Sequence, residues 1–223
     1  MTMIIGSLTP LLVLMPFKVA APIVLIWCRV TILVTPKVCG IDLHVSGLAH
    51  LNTVSRPCVI VCNHQCFWET IYLQLLCYPL STVLKHSLLR IPFFGWALSV
   101  INPIAIDRTT PLQSLKQVKA QAMVRLRQGR NILIFPEGTR RPVGRLGTYT
   151  RSAADIAKSA QVPMIAIAHN GGNYWRNKKY NKRPGTIHMA IGEPIIIGDQ
   201  NTKEVIASIQ AWTQRQLDAM QSL

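Results

Sequence analysis

An α/β fold is the class this sequence predicts: a single domain with a largely parallel sheet flanked by helices, plus N-terminal apolar membrane-anchoring helices. Three observations predict it. Short apolar, β-branched runs at Val59–Cys62, Pro103–Asp107, Asn131–Phe135 and Val162–Ala168 have strand length and lie beside Pro or Gly. Stretches of helical composition, Gln65–Leu76, Leu112–Arg127 and Thr150–Ala160, separate them, and strands alternating with helices pair in parallel. Ahead of both, Met3–Val38 is almost unbroken apolar sequence.

Taken in order, the elements begin with that apolar stretch. Thr9–Trp27 approaches the roughly 20 residues a membrane crossing needs, but it carries Lys18, Pro10, Pro16 and Pro22. Two short helices entering one leaflet therefore compete with a single crossing. A signal peptide is disfavoured, because no small-residue cleavage site follows and the start lacks a basic region. Membrane anchoring is the role expected of this segment. Gly40–Gly47 alternates apolar and polar residues and reads as a first strand, with His44 a solvent-facing bystander. Val59–Cys62 and Gln65–Leu76 follow as strand and helix, closed by Pro79. Val83–Trp96 holds Lys85, Arg90 and the turn Ile91-Pro92-Phe93-Phe94-Gly95, whose aromatics either line a slot or fill core.

Pro103–Asp107 is a short strand ending at Arg108, and Leu112–Arg127 a helix stopped by Gly129. After the strand Asn131–Phe135 come a turn, Pro136–Arg141, the small-residue helix Thr150–Ala160 and the strand Val162–Ala168. Gly171–Gly185 is a polar loop with Arg176, Lys178, Lys179, Lys182 and Arg183. Thr186–Ile197 reads as a last strand around Gly192-Glu193-Pro194, and the amphipathic helix Lys203–Met220 closes the chain.

Composition sets the setting for this domain. A length of 223 residues suits one α/β domain with an appended segment, which divides the chain into a membrane-associating segment, residues 1–38, and a catalytic domain, residues 39–223. With 24 Lys and Arg against 9 Asp and Glu the net charge is +15, an excess that calls for an anionic partner. Nucleic acid and an anionic membrane surface both satisfy it. A mean hydropathy of +0.27 and the apolar N-terminus favour the membrane. Nucleic-acid binding predicts aromatics interleaved with basic residues, and only Tyr174, Trp175 and Tyr180 approach that pattern. Six cysteines, at 28, 39, 58, 62, 66 and 77, show no disulfide-framework or zinc-ribbon spacing, which suggests a reducing compartment and a catalytic domain on the cytoplasmic side.

Chemistry concentrates at Asn63-His64-Gln65-Cys66-Phe67-Trp68-Glu69, where a His and a carboxylate emerge from an apolar run. Residues five apart on a regular helix point about 140° apart at 3.6 residues per turn. His64 and Glu69 therefore meet only if His64 lies at the non-helical junction of strand and helix. A carboxylate on one imidazole nitrogen fixes the tautomer and frees the other nitrogen to take a proton. No Gly-x-Ser-x-Gly motif supplies a nucleophile, and Cys62 and Cys66 sit at apolar positions that suit buried thiols. The attacking hydroxyl is then the substrate's own. As metal ligands the pair lacks a third His, Cys or carboxylate nearby, so no metal is expected.

Two later strands end in groups suited to phosphate: Arg108 after Pro103–Asp107, and Gly138 with Arg140 in Phe135-Pro136-Glu137-Gly138-Thr139-Arg140. Ligands of open parallel sheets bind beyond the carboxyl ends of the strands, Gly permits close backbone approach, and an Arg fork matches phosphate oxygens. Asn63-His64-x-x-x-x-Glu69, Ile106-Asp107-Arg108, Phe135–Arg140 and Val162-Pro163-Met164-Ile165-Ala166 resemble the four ordered blocks of the glycerolipid acyltransferases typified by 1-acylglycerol-3-phosphate acyltransferase. The similarity covers residues 52 to 197. It departs at Glu69, where the family's usual acid is Asp, one methylene shorter.

The resemblance implies an α/β sandwich seated on the bilayer by N-terminal helices. It implies that His64 is the general base and Glu69 its orienting partner. Arg108, Glu137, Gly138, Thr139 and Arg140 would bind the acceptor, and Val162 and Pro163 would form part of the pocket wall. Lys85 either adds positive charge at the acceptor phosphate or the donor, or is a solvated surface lysine. The implied reaction is transfer of an acyl group from acyl-CoA or acyl carrier protein to the sn-2 hydroxyl of lysophosphatidate, with no cofactor and no acyl-enzyme. Another lysolipid acceptor is the nearest alternative, and a non-catalytic anionic-membrane binder a distant one.

Overall fold

A computed structural model describes residues 17–55, 57–92, 94–107, 111–175 and 182–222. Expectations that fall on Arg108, on Arg176, Lys178 and Lys179, on Phe93 and on the first 16 residues lie outside the described residues. The described chain runs α1 Phe17–Cys39, β1 Ile41–Ser46, α2 Leu48–Thr53, β2 Val59–Cys62, α3 Trp68–Leu76, β3 Leu80–Lys85, α4 Phe94–Val100, β4 Ile104–Ile106, α5 Pro111–Arg127, β5 Asn131–Ile134, α6 Ser152–Ala160, β6 Met164–His169, β7 Gly185–Ile191 and α7 Thr202–Gln221. A 3₁₀ turn, His86–Arg90, links β3 to α4.

Seven strands form one sheet in the order β1-β7-β6-β2-β5-β3-β4. Every neighbouring pair is parallel except β6 with β7. Strands β2, β5 and β6 are buried on both faces, which is why they read as unbroken apolar runs rather than alternations. One face packs under α5, α6 and α7 through Val59, Val61, Ile132, Ile134, Ala153, Ile156, Ile206 and Ile209. On the other face Ile60, Leu133, Ile165 and Ile167 pack with Trp68, Leu73 and Leu51. Each such buried side chain contributes roughly 1.5–3 kcal/mol. Strand β2 sits where the connections change side, since β3, β4 and β5 lie to one side of it and β6 and β7 to the other. Its carboxyl end is therefore the place where such a sheet opens a crevice.

Three expectations change. The stretch before Val83 is itself a strand, β3, whose Ser81 and Thr82 resemble turn residues until their partners are seen. Ser81 Oγ donates to the Asn102 carbonyl at 2.9 Å, and Thr82 Oγ1 accepts from Gln74 Nε2 at 3.0 Å. The last strand stops at Ile191, because Pro194 has no N–H for the ladder, and pairing resumes only in an isolated antiparallel bridge of Ile195 with Met164. Helix α3 begins at Trp68, three residues later than composition suggests. The N-terminal segment, where described, is one continuous helix through Pro22 and Pro36, ending at a left-handed Gly40 (φ 63°). Val19–Cys39 within it is long and apolar enough to cross a membrane. One side of α1, Ala20, Val24 and Cys28, packs on Ile71, Val100 and Ile101 of the domain, while Val19, Ile23, Ile26, Leu33, Val34 and Val38 are exposed.

Candidate active site

The three-residue delay before α3 is what brings His64 to Glu69. Strand β2 ends at Cys62, the chain turns through residues 63–67, and Glu69 occupies the first helical turn. There its carboxylate accepts the Cys66 backbone N–H at 3.1 Å and the Gln65 N–H at 3.3 Å, buried donors of the turn that leads into the helix. The same carboxylate meets His64 Nδ1 at 2.6 Å and accepts from the Cys66 thiol at 2.7 Å. Glu69 is fully buried, whereas the His64 side chain is 16% exposed. Burial pushes the Glu69 carboxyl upward, but the Nε2–H edge of neighbouring His169, 3.9 Å away, the His64 bond and the Cys66 thiol outweigh it and hold it below the usual carboxylate range. An ionised Glu69 requires the proton on His64 Nδ1, which leaves Nε2 as the proton acceptor.

The Phe135–Arg140 block fixes His64 from the adjacent strand end. Phe135 stacks on the imidazole with ring centroids 4.0 Å apart. Glu137 Oε1 accepts the His64 backbone N–H at 2.9 Å, and the Arg141 N–H donates to the His64 carbonyl at 2.8 Å. Glu137 Oε2 accepts from Gly147 N–H at 2.9 Å and lies 3.7 Å from Arg141 Nε. Burial raises the Glu137 carboxyl above its ordinary value, although these contacts oppose it. The residue expected to bind the acceptor thus turns inward and braces the loop of His64. Gly138 takes φ 69°, where a side chain is strained, and swings Thr139 and Arg140 outward.

His64, Gly138, Thr139, Arg140 and Lys85 converge on one cavity of about 1000 Å³. Lys85 ends β3, so among the described residues the three strands β2, β3 and β5 each deliver a polar group to one mouth. Arg140 lies 6.0 Å from the Phe67 ring centroid. Beyond the mouth the lining turns apolar, with Phe94, Leu98, Ile106, Leu115 and Val118. Phe94 is therefore slot lining, and its ring lies 5.7 Å from that of Phe67. Val162 and Pro163 are not at this cavity: they precede β6, at the end of the sheet opposite the site, where Val162 packs in the core and the Pro163 carbonyl accepts Val59 N–H. In a parallel strand the residues before it and after it lie at opposite edges of the sheet.

Neither nearby thiol is set up to attack. Burial, with the Glu69 charge added, pushes both Cys62 and Cys66 well above the ordinary thiol value, and thiols rather than thiolates are poor nucleophiles. Two residues without an assigned role complete the centre. Asn63 Nδ2 donates to the His169 carbonyl and Asn63 Oδ1 accepts the His169 N–H, both at 3.0 Å, and buried His169 Nε2 lies 3.9 Å from Glu69 Oε2. His169 closes β6 just beyond the apolar run, and nothing in a lone His after Ala168 signals that it returns to Asn63.

The acyltransferase family model matches residues 42–170. A 1-acyl-sn-glycerol-3-phosphate acyltransferase of Pseudomonas aeruginosa is 45% identical over 190 residues, 83% of this chain and 73% of that relative. The Cocos nucifera 1-acyl-sn-glycerol-3-phosphate acyltransferase is 27% identical over 169 residues, 74% of this chain and 54% of its own length. The crystal structure of the 1-acyl-sn-glycerophosphate acyltransferase PlsC from Thermotoga maritima superposes with a TM-score of 0.78 at 21% identity, covering 98% of this chain and 89% of the other, a likeness of fold.

Proposed function

The chain belongs to the acyltransferase family, and from that premise we propose that it acylates the sn-2 hydroxyl of lysophosphatidate by direct attack on a thioester donor, giving phosphatidate. One observation carries the mechanism: an imidazole anchored at Nδ1 by a buried carboxylate 2.6 Å away lines a cavity to which neither Cys62 nor Cys66 contributes. His64 Nε2 takes the sn-2 proton as the alkoxide oxygen bonds to the thioester carbonyl carbon. The tetrahedral intermediate collapses, the C–S bond breaks, and the departing sulfur receives that proton. Glu69 stays ionised and stabilises the imidazolium that forms between the two steps.

Arg140 and Lys85 supply positive charge to the acceptor phosphate at the mouth, with Gly138 and Thr139 shaping the approach. The apolar reach past Phe94 takes an acyl chain. Acyl-CoA and acyl carrier protein present the same thioester, so both fit this scheme as donors. Because the acceptor is a lipid, the mouth faces an anionic membrane surface. Helix α1 rests its exposed apolar side there, with the domain on the cytoplasmic side. Trp96 supports that placement: it lies one turn before Val100, which packs on α1, and is 37% exposed, an interfacial position that suits an indole. Residues 1–38 then serve as the anchoring unit and 39–223 as the catalytic one.

Full-length protein in mixed micelles should convert lysophosphatidate to phosphatidate only when a thioester donor is present. Cys62→Ala and Cys66→Ala should retain most of that activity. A trapped covalent acyl-cysteine intermediate would sink direct attack.

A further inference from the structure

Behind the His64–Glu69 pair lies a second imidazole that acyl transfer as described does not use. His169 is completely buried. Its Nδ1 accepts the Gly171 backbone N–H at 3.1 Å, so Nδ1 carries no proton. The ring proton therefore sits on Nε2, which donates to the Asn63 carbonyl at 3.0 Å. Together with the two Asn63 side-chain bonds, three hydrogen bonds tie the end of β6 to the residue immediately before His64. Nε2 is also 3.9 Å from Glu69 Oε2, the carboxylate oxygen other than the one His64 engages. Gly171 makes the approach possible, because a Cβ there would lie 3.0 Å from His169 Nδ1 and 3.2 Å from Cys66 Sγ.

We infer that His169 is a positioning residue for the acyl transfer: a neutral imidazole that fixes the Asn63–His64 peptide and walls off the far side of the Glu69 carboxylate, so that His64 holds its Nε2 toward the substrate. The inference rests on the reading of His64 as the base. The titratable groups facing the ring are Glu69 from α3 and His64 and Cys66 from the preceding loop, while β7 places Met189 opposite His169 in the sheet. Burial drives the His169 imidazole below its usual value, against the pull of Glu69, in keeping with the neutral form its bonds require. Neutrality matters for the chemistry. The negative charge of Glu69 then remains for the His64 imidazolium that forms during turnover, whereas a second imidazolium would compete for it.

The test compares His169→Leu, which keeps bulk without a donor, with His169→Gln, whose amide can still donate to the Asn63 carbonyl, both in the full chain. Two readouts are taken on folded enzyme: kcat against lysolipid KM, and the deshielded imidazole proton of the His64–Glu69 bond in NMR of ¹⁵N-histidine-labelled protein, with His64→Ala to identify the signal. His169→Leu should lower kcat by about 10- to 100-fold, the scale of a small misplacement of a reacting group, with KM within about twofold, and should abolish or shift the proton signal. His169→Gln should recover much of both. Should His169→Leu fail to fold, His169→Asn, too short to reach the Asn63 carbonyl, replaces it under the same readouts. A folded His169→Leu or His169→Asn enzyme with the wild-type kcat and an unshifted proton signal overturns the inference. If instead the wild type transfers no acyl group, the reaction is wrong, and the resting-state proton signal still decides the role of His169.

Discussion

The sheet carries a buried polar cluster at each of its two edges, and only one of them opens onto the cavity. At the lower edge, where β3 and β5 begin, Arg130 Nε donates to Ser81 Oγ at 2.8 Å and its Nη2 to the carbonyls of Leu80 and Ile101 at 3.0 and 2.7 Å. Beside it Asn131 accepts from Cys58 N–H at 3.0 Å and donates to the Cys77 carbonyl at 2.8 Å. At the upper edge Asn63, His64, Glu69, Glu137 and His169 form a second hydrogen-bonded network. The lower cluster spends its side chains on backbone groups and on one another in the interior and lines no part of the cavity. The upper one ends in an imidazole nitrogen aimed at about 1000 Å³ of space. Buried polarity alone therefore marks structure, and a network that terminates at a cavity marks function.

Removing the terminal group should have the largest effect on the upper cluster. His64→Ala is expected to lower turnover by about 10²- to 10⁴-fold, the usual contribution of a general base, while the melting temperature changes little because the ring is partly exposed. Turnover and a melting curve on the same preparation check this, and comparable losses in both would erase the distinction between the edges. Glu69→Gln comes next, with a fall in kcat of about 100-fold, because the amide nitrogen would face the Cys66 N–H or His64 in place of an acceptor. Glu69→Asp should retain more activity than Glu69→Gln, keeping the charge but withdrawing it by one methylene. If the two variants are equally active, orientation of His64 by charge is not the role of Glu69.

The matching change at the lower edge is Asn131→Ala. Each backbone group it strands costs about 1–3 kcal/mol, read as a lower denaturant midpoint, with kcat per folded molecule equal to wild type. A specific loss of kcat would show that the lower cluster reaches the site. The smallest effect expected is on pH dependence, and it too should separate the edges. The imidazole of His169 is held below its usual 6.5, so the unfolded chain takes the proton first. Its contribution to stability is complete above about pH 6.5 and is lost as pH falls below that value toward the folded pKa. Glu69, held below 4.5, acts in the same sense at lower pH, and Glu137, held above 4.5, acts in the opposite one. Arg130, lowered to about 10 chiefly by burial, changes nothing near neutrality. The denaturant midpoint should thus drop between pH 7.5 and 5.5 in wild type, and drop less in His169→Gln. An identical decline in the two proteins would remove His169 as its source.

Much of the upper edge was legible in the sequence because its signals are local. The β-branched run before His64 gave the strand, the geometry of five residues placed the His–Glu contact at a strand-to-helix junction, and the strand end at Phe135–Arg140 named Gly138 and Arg140, which do meet His64 at one cavity. Glu137 shows where that reasoning stops. A carboxylate in a turn beside arginines reads as facing a ligand, and only the fold shows that two backbone N–H groups, those of His64 and Gly147, claim it. Strand β3 was obscured for a related reason, since Ser81 and Thr82 look like turn residues until Asn102, Arg130 and Gln74 are brought to them.

Periodicity, charge and short motifs determined the α/β class, the apolar N-terminal helix and the acyltransferase blocks, because each is written in short, contiguous stretches of chain. The tertiary structure alone decided which polar groups face inward, that Val162 and Pro163 lie at the edge away from the site, and that His169 returns to Asn63 across 106 positions. Those outcomes depend on the sheet order, in which β6 pairs with β2 although four helices and three strands lie between them in the chain, and no local pattern encodes which distant strand end will satisfy a buried donor.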